Sequence, residues 1–96
     1  MNVMEQTKAA VKQCLRDAII ASGIAEPSQI PDIALEVPKE KAHGDLATNI
    51  AMQLTRVAKT NPRHIAERIV AALDTRKANI ARVDIAGPGF INFVLD

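Results

Sequence analysis

Two alternating runs joined by Gly87-Pro88-Gly89 constrain this chain more than any other feature. Glycine tolerates positive φ and proline fixes φ, so the tripeptide is a turn. Before it, Ile80 to Ala86 places Ala81, Val83 and Ile85 on one side and Arg82 and Asp84 on the other. After it, Phe90 to Leu95 places Ile91, Phe93 and Leu95 on one face and Phe90, Asn92 and Val94 on the other. The two runs are close enough in sequence to pair as an antiparallel hairpin. One face of the second run is wholly apolar and belongs in a core. The other offers an aromatic ring beside an amide, a usable surface for a flat polar ligand such as a nucleobase. The plainer alternative has Phe90 tucked under a loop and Asn92 bonded to a turn.

A sheet with one apolar face needs a cover, and helical periodicity supplies it. Met4, Val11, Leu15, Ala18 and Ile19 recur at helical spacing, which predicts a helix over residues 3–22 with Gly23 as its stop. Lys8, Lys12 and Arg16 line one stripe of it, either solvated or facing a phosphate backbone. Asp45 reads as the N-cap of a second helix whose core stripe is Ala47, Ile50, Leu54 and Val57. Thr48 and Asn49 then fall in its first turn, where Asn49 is either a polar site residue or a tie for the loop. Asn61 caps a third helix and Pro62 takes its first position. Ile65, Ile69, Ala72 and Leu73 form its buried face, with Arg63 and Glu67 spaced to pair outside. Between the first two helices, Ile33 to Val37 alternates and reads as a short strand closed by Pro38.

The order is helix, strand, helix, helix, strand, strand. It implies a two-layer α+β fold, with helices packed on one face of a small, mostly antiparallel sheet. The opposite sheet face stays at least partly open, and Phe90 and Asn92 point there. A fourth short edge strand has room in 24–32 or 38–43, although no pattern shows it.

Composition sharpens this picture. Ninety-six residues make one domain, and with 48% apolar but only 2% aromatic residues its core is built from Ile, Leu, Val and Ala. No apolar run approaches a membrane span, and Met1 to Gln13 is polar and helical in pattern, unlike a secretory leader. Cys14 is the single cysteine and cannot form an internal disulfide; it reads as a small buried or half-buried filler, not a nucleophile, in an intracellular, cytoplasmic protein. A net charge of +1 argues against a general DNA binder. The charge is uneven, however. Residues 52–82 hold seven bases (Arg56, Lys59, Arg63, Arg68, Arg76, Lys77, Arg82) against Glu67 and Asp74, so this third either meets phosphates or is a solvated helical surface. In the polar connection before Asp45, Lys39, Lys41 and His43 are candidate anion contacts.

No Walker-type loop, dinucleotide fingerprint, metal-ligand cluster or partnered nucleophile is present. A binding module is therefore favoured over an enzyme, with no catalytic or metal-binding residue expected. A small enzyme built on His43 and Asp45 is a distant alternative.

Three stretches, in order, carry a resemblance: His43-Gly44-Asp45-Leu46-Ala47-Thr48-Asn49-Ile50-Ala51, Asn61-Pro62-Arg63-His64-Ile65-Ala66-Glu67, and Gly87-Pro88-Gly89-Phe90-Ile91-Asn92-Phe93. Together they closely resemble the N-terminal domain of bacterial arginyl-tRNA synthetase, most weakly before Val37 and through Asp74 to Asn79. The resemblance implies an appendage to a class I catalytic domain, which it would have as a partner, contacting the D-loop at the elbow of arginine tRNA. It also implies a parent that joins arginine to tRNA through an arginyl-adenylate in protein biosynthesis, with ATP as substrate. The ATP signatures of that class are absent here, so these 96 residues are expected to be a non-catalytic piece of a larger enzyme, with no cofactor, membrane or DNA partner of their own. Phe90 and Asn92 match the family motif at the strand and are the first tRNA-binding candidates. Asp45, Thr48 and Asn49 match at the helix start, where a structural role is the alternative, while Lys39, Lys41 and His43 rest on charge alone. An interdomain docking role with little RNA contact is the alternative.

Overall fold

The structure, a computed structural model, describes residues 2–96; Met1, the first residue of the polar leading stretch, lies outside them. Helix α1 spans Val3–Ala21, with the Asn2 side chain accepting from the Glu5 N–H at 2.8 Å. After it come two single 3₁₀ turns, Pro27–Gln29 and Lys41–His43, and then strand β1, Leu46–Thr48. Two one-turn helices follow, α2 (Ile50–Gln53) and α3 (Thr55–Ala58), then α4 (Pro62–Ala72). A 3₁₀ turn at Thr75–Ala78 leads into β2 (Ile80–Ala86) and β3 (Phe90–Leu95).

The sheet is antiparallel in the order β1-β3-β2. The hairpin forms as its turn signal requires, and β3 becomes the central strand. Helix α4 lies against β2 and β3, α2 packs on α4 and β3, and α1 packs on α4 and the 75–78 turn. All the helices therefore stack on the side to which Ile91 and Phe93 point. Both of these residues are fully buried among Val11, Leu15, Ile19, Leu46, Ile50, Leu54, Ile65 and Ile69. Phe93 is the largest side chain at the centre, and its burial supplies a few kcal/mol of hydrophobic stabilisation, about 1.5–3 for a side chain of this kind. Cys14 is buried in the same cluster, and burial pushes its thiol above the ordinary value of 9.0. Met4 does not join this core: it is 41% exposed.

Asn61 and Pro62 behave as their local chemistry dictates. The Asn61 side chain accepts from the His64 N–H at 2.8 Å, and Pro62 opens α4. Arg63 does not pair with Glu67. Its guanidinium instead donates to the Gly87 carbonyl at 2.9 Å, and Glu67 sits 3.9 Å from His64.

Three expectations are corrected. Asp45 is not a helix N-cap. Its backbone N–H donates to the Phe93 carbonyl and its carboxylate accepts from the Leu95 N–H, at 2.7 and 2.8 Å. The following residues thus become a strand: Leu46 and Thr48 turn inward, Ala47 turns outward, and pairing with β3 outcompetes the helical alternative. The helix starts only at Ile50, whose N–H donates to the Thr48 hydroxyl at 3.2 Å. It then breaks at Leu54, where the Thr55 hydroxyl takes up the Met52 carbonyl. Second, Ile33 to Val37 is not a regular strand. Between Pro31 and Pro38 it makes one isolated bridge, Glu36 with Ala47, burying Ile33 and Leu35 but leaving Val37 61% exposed. Third, Ala81 does not share a face with Val83 and Ile85. The pairing Ile80–Leu95 followed by Arg82–Val94 leaves Ala81 as the extra residue of a bulge, so Ile80 takes the inward position.

Candidate nucleic-acid interface

The register defines the outer face of the sheet residue by residue. Asn92 on β3 lies opposite Ala47 on β1 and Asp84 on β2, Ala47 in turn bridges to Glu36, and Phe90 lies opposite Ala86. Alanines at 47 and 86 leave space where larger side chains would fill the face. The result is a concavity of about 300 Å³ lined by Glu36, Pro38, His43, Ala47, Ala86, Phe90 and Asn92. A second, of about 130 Å³, adjoins it and brings in Thr48, Asn49 and Gln53, sharing Glu36, Ala47 and Phe90.

Four of the six residues singled out from the sequence therefore meet at one place. Phe90 is 41% exposed and forms part of both walls. Asn92 is only 8% exposed, yet among the described residues its side chain makes no hydrogen bond to protein. Its polar atoms are not sealed off, since no buried side-chain nitrogen or oxygen among the described residues lacks a partner, so the amide is open to water or to a ligand that replaces it. His43 lines the larger concavity, and Asn49 lines the smaller, where its carbonyl oxygen accepts from Gln53 at 3.2 Å. Lys39 and Lys41 are exposed in the connection that carries His43, but neither lines the concavities. Asp45 does not line them either, its carboxylate being occupied by Leu95.

Two close approaches hold this face in shape. Gly44 has φ 92°, and a Cβ there would meet the Phe93 carbonyl oxygen at 2.6 Å, so only glycine lets the 39–43 connection dock on β3. Gly89 has φ 142°, and a Cβ there would meet Pro62 at 2.9 Å, so the turn carrying Phe90 seats directly on the start of α4. Sequence reasoning missed Glu36, Pro38, Ala47 and Ala86. For Glu36 a signal existed, since alternation with the buried Leu35 points it outward. For Ala47 there was none, because the helical reading put it in the core.

In the basic third of the chain, four of the seven bases have partners within the protein. Arg76 and Arg82 pair with Asp74 and Asp84 at 3.4 and 3.0 Å, while Arg63 and Arg68 donate to the carbonyls of Gly87 and Ser22. No helix among the described residues is long and apolar enough to cross a membrane.

The model of a known family, the arginyl tRNA synthetase N terminal domain, matches residues 5–95. This chain belongs to that family. Arginine–tRNA ligases of Bacillus licheniformis and Bacillus subtilis are each 56% identical to it over 96 residues, and that of Geobacillus kaustophilus is 53% identical. In all three the match covers 100% of this chain and 17% of the relative, so the chain spans about a sixth of the length of these ligases. The crystal structure of arginyl-tRNA synthetase from Plasmodium falciparum shares the fold, with a TM-score of 0.71 at 18% identity over 90% of this chain and 15% of that one. Within the arginyl-tRNA synthetase N-terminal domain seen here, the three motif stretches converge. The first supplies β1 and His43, the second seats the turn, and the third supplies Phe90 and Asn92.

Proposed function

We propose that this domain serves an arginine–tRNA ligase as a tRNA-recognition appendage, receiving an unpaired nucleotide of the D-loop at the elbow of arginine tRNA. One observation carries the reading: Asn92, whose amide makes no protein hydrogen bond among the described residues and is open to solvent, lines the same concavity as the exposed Phe90 ring. A base stacked on Phe90 would satisfy that amide with its edge, which is how proteins read splayed single-stranded bases. Lys39, Lys41 and His43 on the neighbouring connection supply the phosphate contacts. The larger enzyme joins arginine to tRNA with ATP in the cytoplasm, through a catalytic domain whose residues lie outside these 96.

A salt titration of binding to an arginine tRNA transcript tests this. With two or three phosphate contacts, log Kd should change with log salt at a slope of roughly 1.5–2. Asn92→Ala and Phe90→Ala should each weaken binding about tenfold, since stacking alone is worth ~1–3 kcal/mol per base. A D-loop-altered transcript should bind as weakly to the wild-type domain as the cognate one does to these variants. A second reading, docking on the catalytic domain with little RNA contact, draws on the exposed Val37 and Phe90 side chains. It is selected if no tRNA binding appears at low salt, or if neither substitution changes it.

A further inference from the structure

Strand β2 ends the sheet on one side, and among the described residues no strand pairs with its other edge. The direction of its free backbone groups follows from the rest of the sheet. Ala47 exchanges two backbone hydrogen bonds with Glu36, at 2.9 and 2.8 Å, so its neighbours Leu46 and Thr48 turn theirs toward β3. From the other side, the Phe93 carbonyl points to β1 and accepts from the Asp45 N–H at 2.7 Å. In an antiparallel strand the N–H and C=O of one residue point the same way. Phe93 therefore turns away from β2, and Val83 opposite it directs its own N–H and C=O to the free edge. The Val83 side chain lies on the inner face, packed against the core but only half-buried.

Arg82 and Asp84 flank Val83 on the outer face, 63% and 51% exposed, and hold each other at 3.0 Å. Edge strands are often protected by charges of one sign, which repel a second copy. The run Arg82-Val83-Asp84 does the reverse. A second β2 laid antiparallel against the first, about a two-fold axis at Val83, puts each Arg82 opposite the other copy's Asp84. The two Val83 residues then form a hydrogen-bonded pair, as their outward groups require. Neighbouring registers are worse. An axis at Arg82 or at Asp84 sets like charges face to face, and one at Ile85 sets Asp84 against Ala86. We propose that the free edge of β2 is a self-association surface whose partner is a second copy of this chain, joined in the Val83 register. The bulge at Ala81 keeps the ladder short, so the dimer is weak, with a Kd of about 100 μM. The axis runs perpendicular to the sheet. Both outer faces therefore look the same way and their concavities stay open, and the inference does not depend on the base-binding reading.

The test is sedimentation equilibrium of the 96-residue chain from about 10 μM to about 1 mM, which brackets that Kd. The wild type should pass from monomer to dimer across this range. Arg82→Asp and Asp84→Arg each set like charges opposite one another at two places, and each should weaken association at least about tenfold. Mixed in equal amounts, the two variants complement each other and should form a heterodimer within about threefold of the wild-type affinity. Both have lost the exposed pair within the chain, which mixing cannot restore, so any recovery reads the contact between copies. Amide exchange locates that contact. The Val83 N–H should exchange about fivefold more slowly at the high concentration than at the low one, while the Asp84 N–H, turned toward β3, should not change. A wild type that stays monomeric at about 1 mM overturns the proposal. So does a mixture no tighter than the single variants, or Val83 exchange that ignores concentration.

Discussion

The two faces of β3 are built from the same six residues and do opposite work. Ile91 and Phe93 are fully buried on the inner face. On the outer face Phe90 is exposed, and Asn92 is shielded but has no protein partner. The inner face is closed at Ile91 and Phe93 by the side chains of the core cluster. The outer face is left open because its neighbours across the strands, Ala47 and Ala86, are too small to close it. A packed face and an open face are thereby separated by strand parity, one residue apart.

The largest effect should come from the inner face. Phe93→Ala removes the central ring and should destabilise the fold by about 3–5 kcal/mol, measured by urea denaturation. A loss below 1 kcal/mol would mean that the inner face is not the core. Next comes the junction that ties β1 to β3. Gly44→Ala must move the chain away from the Phe93 carbonyl and strain a positive φ, costing about 2 kcal/mol. Asn61→Ala, on neither face, should cost about 1 kcal/mol by uncapping α4. Asn92→Ala sharpens the contrast most. With no internal hydrogen bond to lose, it should change stability by less than about 0.5 kcal/mol while weakening RNA binding. A loss of stability above 1 kcal/mol would show that the outer face is structural too. The smallest effect concerns Cys14. Its thiol is raised by burial, with Asp17 the next cause, so the folded state holds the proton after the unfolded state has released it. Stability contributed by the neutral thiol is intact below pH 9 and falls above it. The stability gap between wild type and Cys14→Ala should therefore narrow as pH rises from 8 to 10.

Two capping signals show where sequence was sufficient. Asn61-Pro62 and Asp45-Leu46 both read as helix starts, and only the first is one. Pro62 cannot donate to a sheet ladder, so no strand competed there. Asp45 and Leu46 can pair, β3 was available, and their alternation suits a strand as well as a helix. The bulge at Ala81 escaped detection for a related reason: alternation assumes an unbroken register, and only the partner strand reveals the extra residue. At the site, Phe90 and Asn92 were visible from their positions on β3, and His43 and Asn49 from residue type. Glu36 carried only the outward parity of its alternation with Leu35, and Ala47 carried no signal, because their meeting depends on a pairing between two segments that the sequence does not mark as neighbours.

The sequence by itself determined the elements with strong local signals: α1 and α4 through periodicity and caps, and the β2–β3 hairpin through its turn and its apolar face. These are short-range consequences of backbone conformation and hydrophobic spacing, readable within one window. The tertiary structure decided which ambiguous segment became the third strand, and hence which small residues floor the concavity. That choice depends on hydrogen bonds between Asp45 and β3, fifty residues away, which form only once β3 has been placed by its own core.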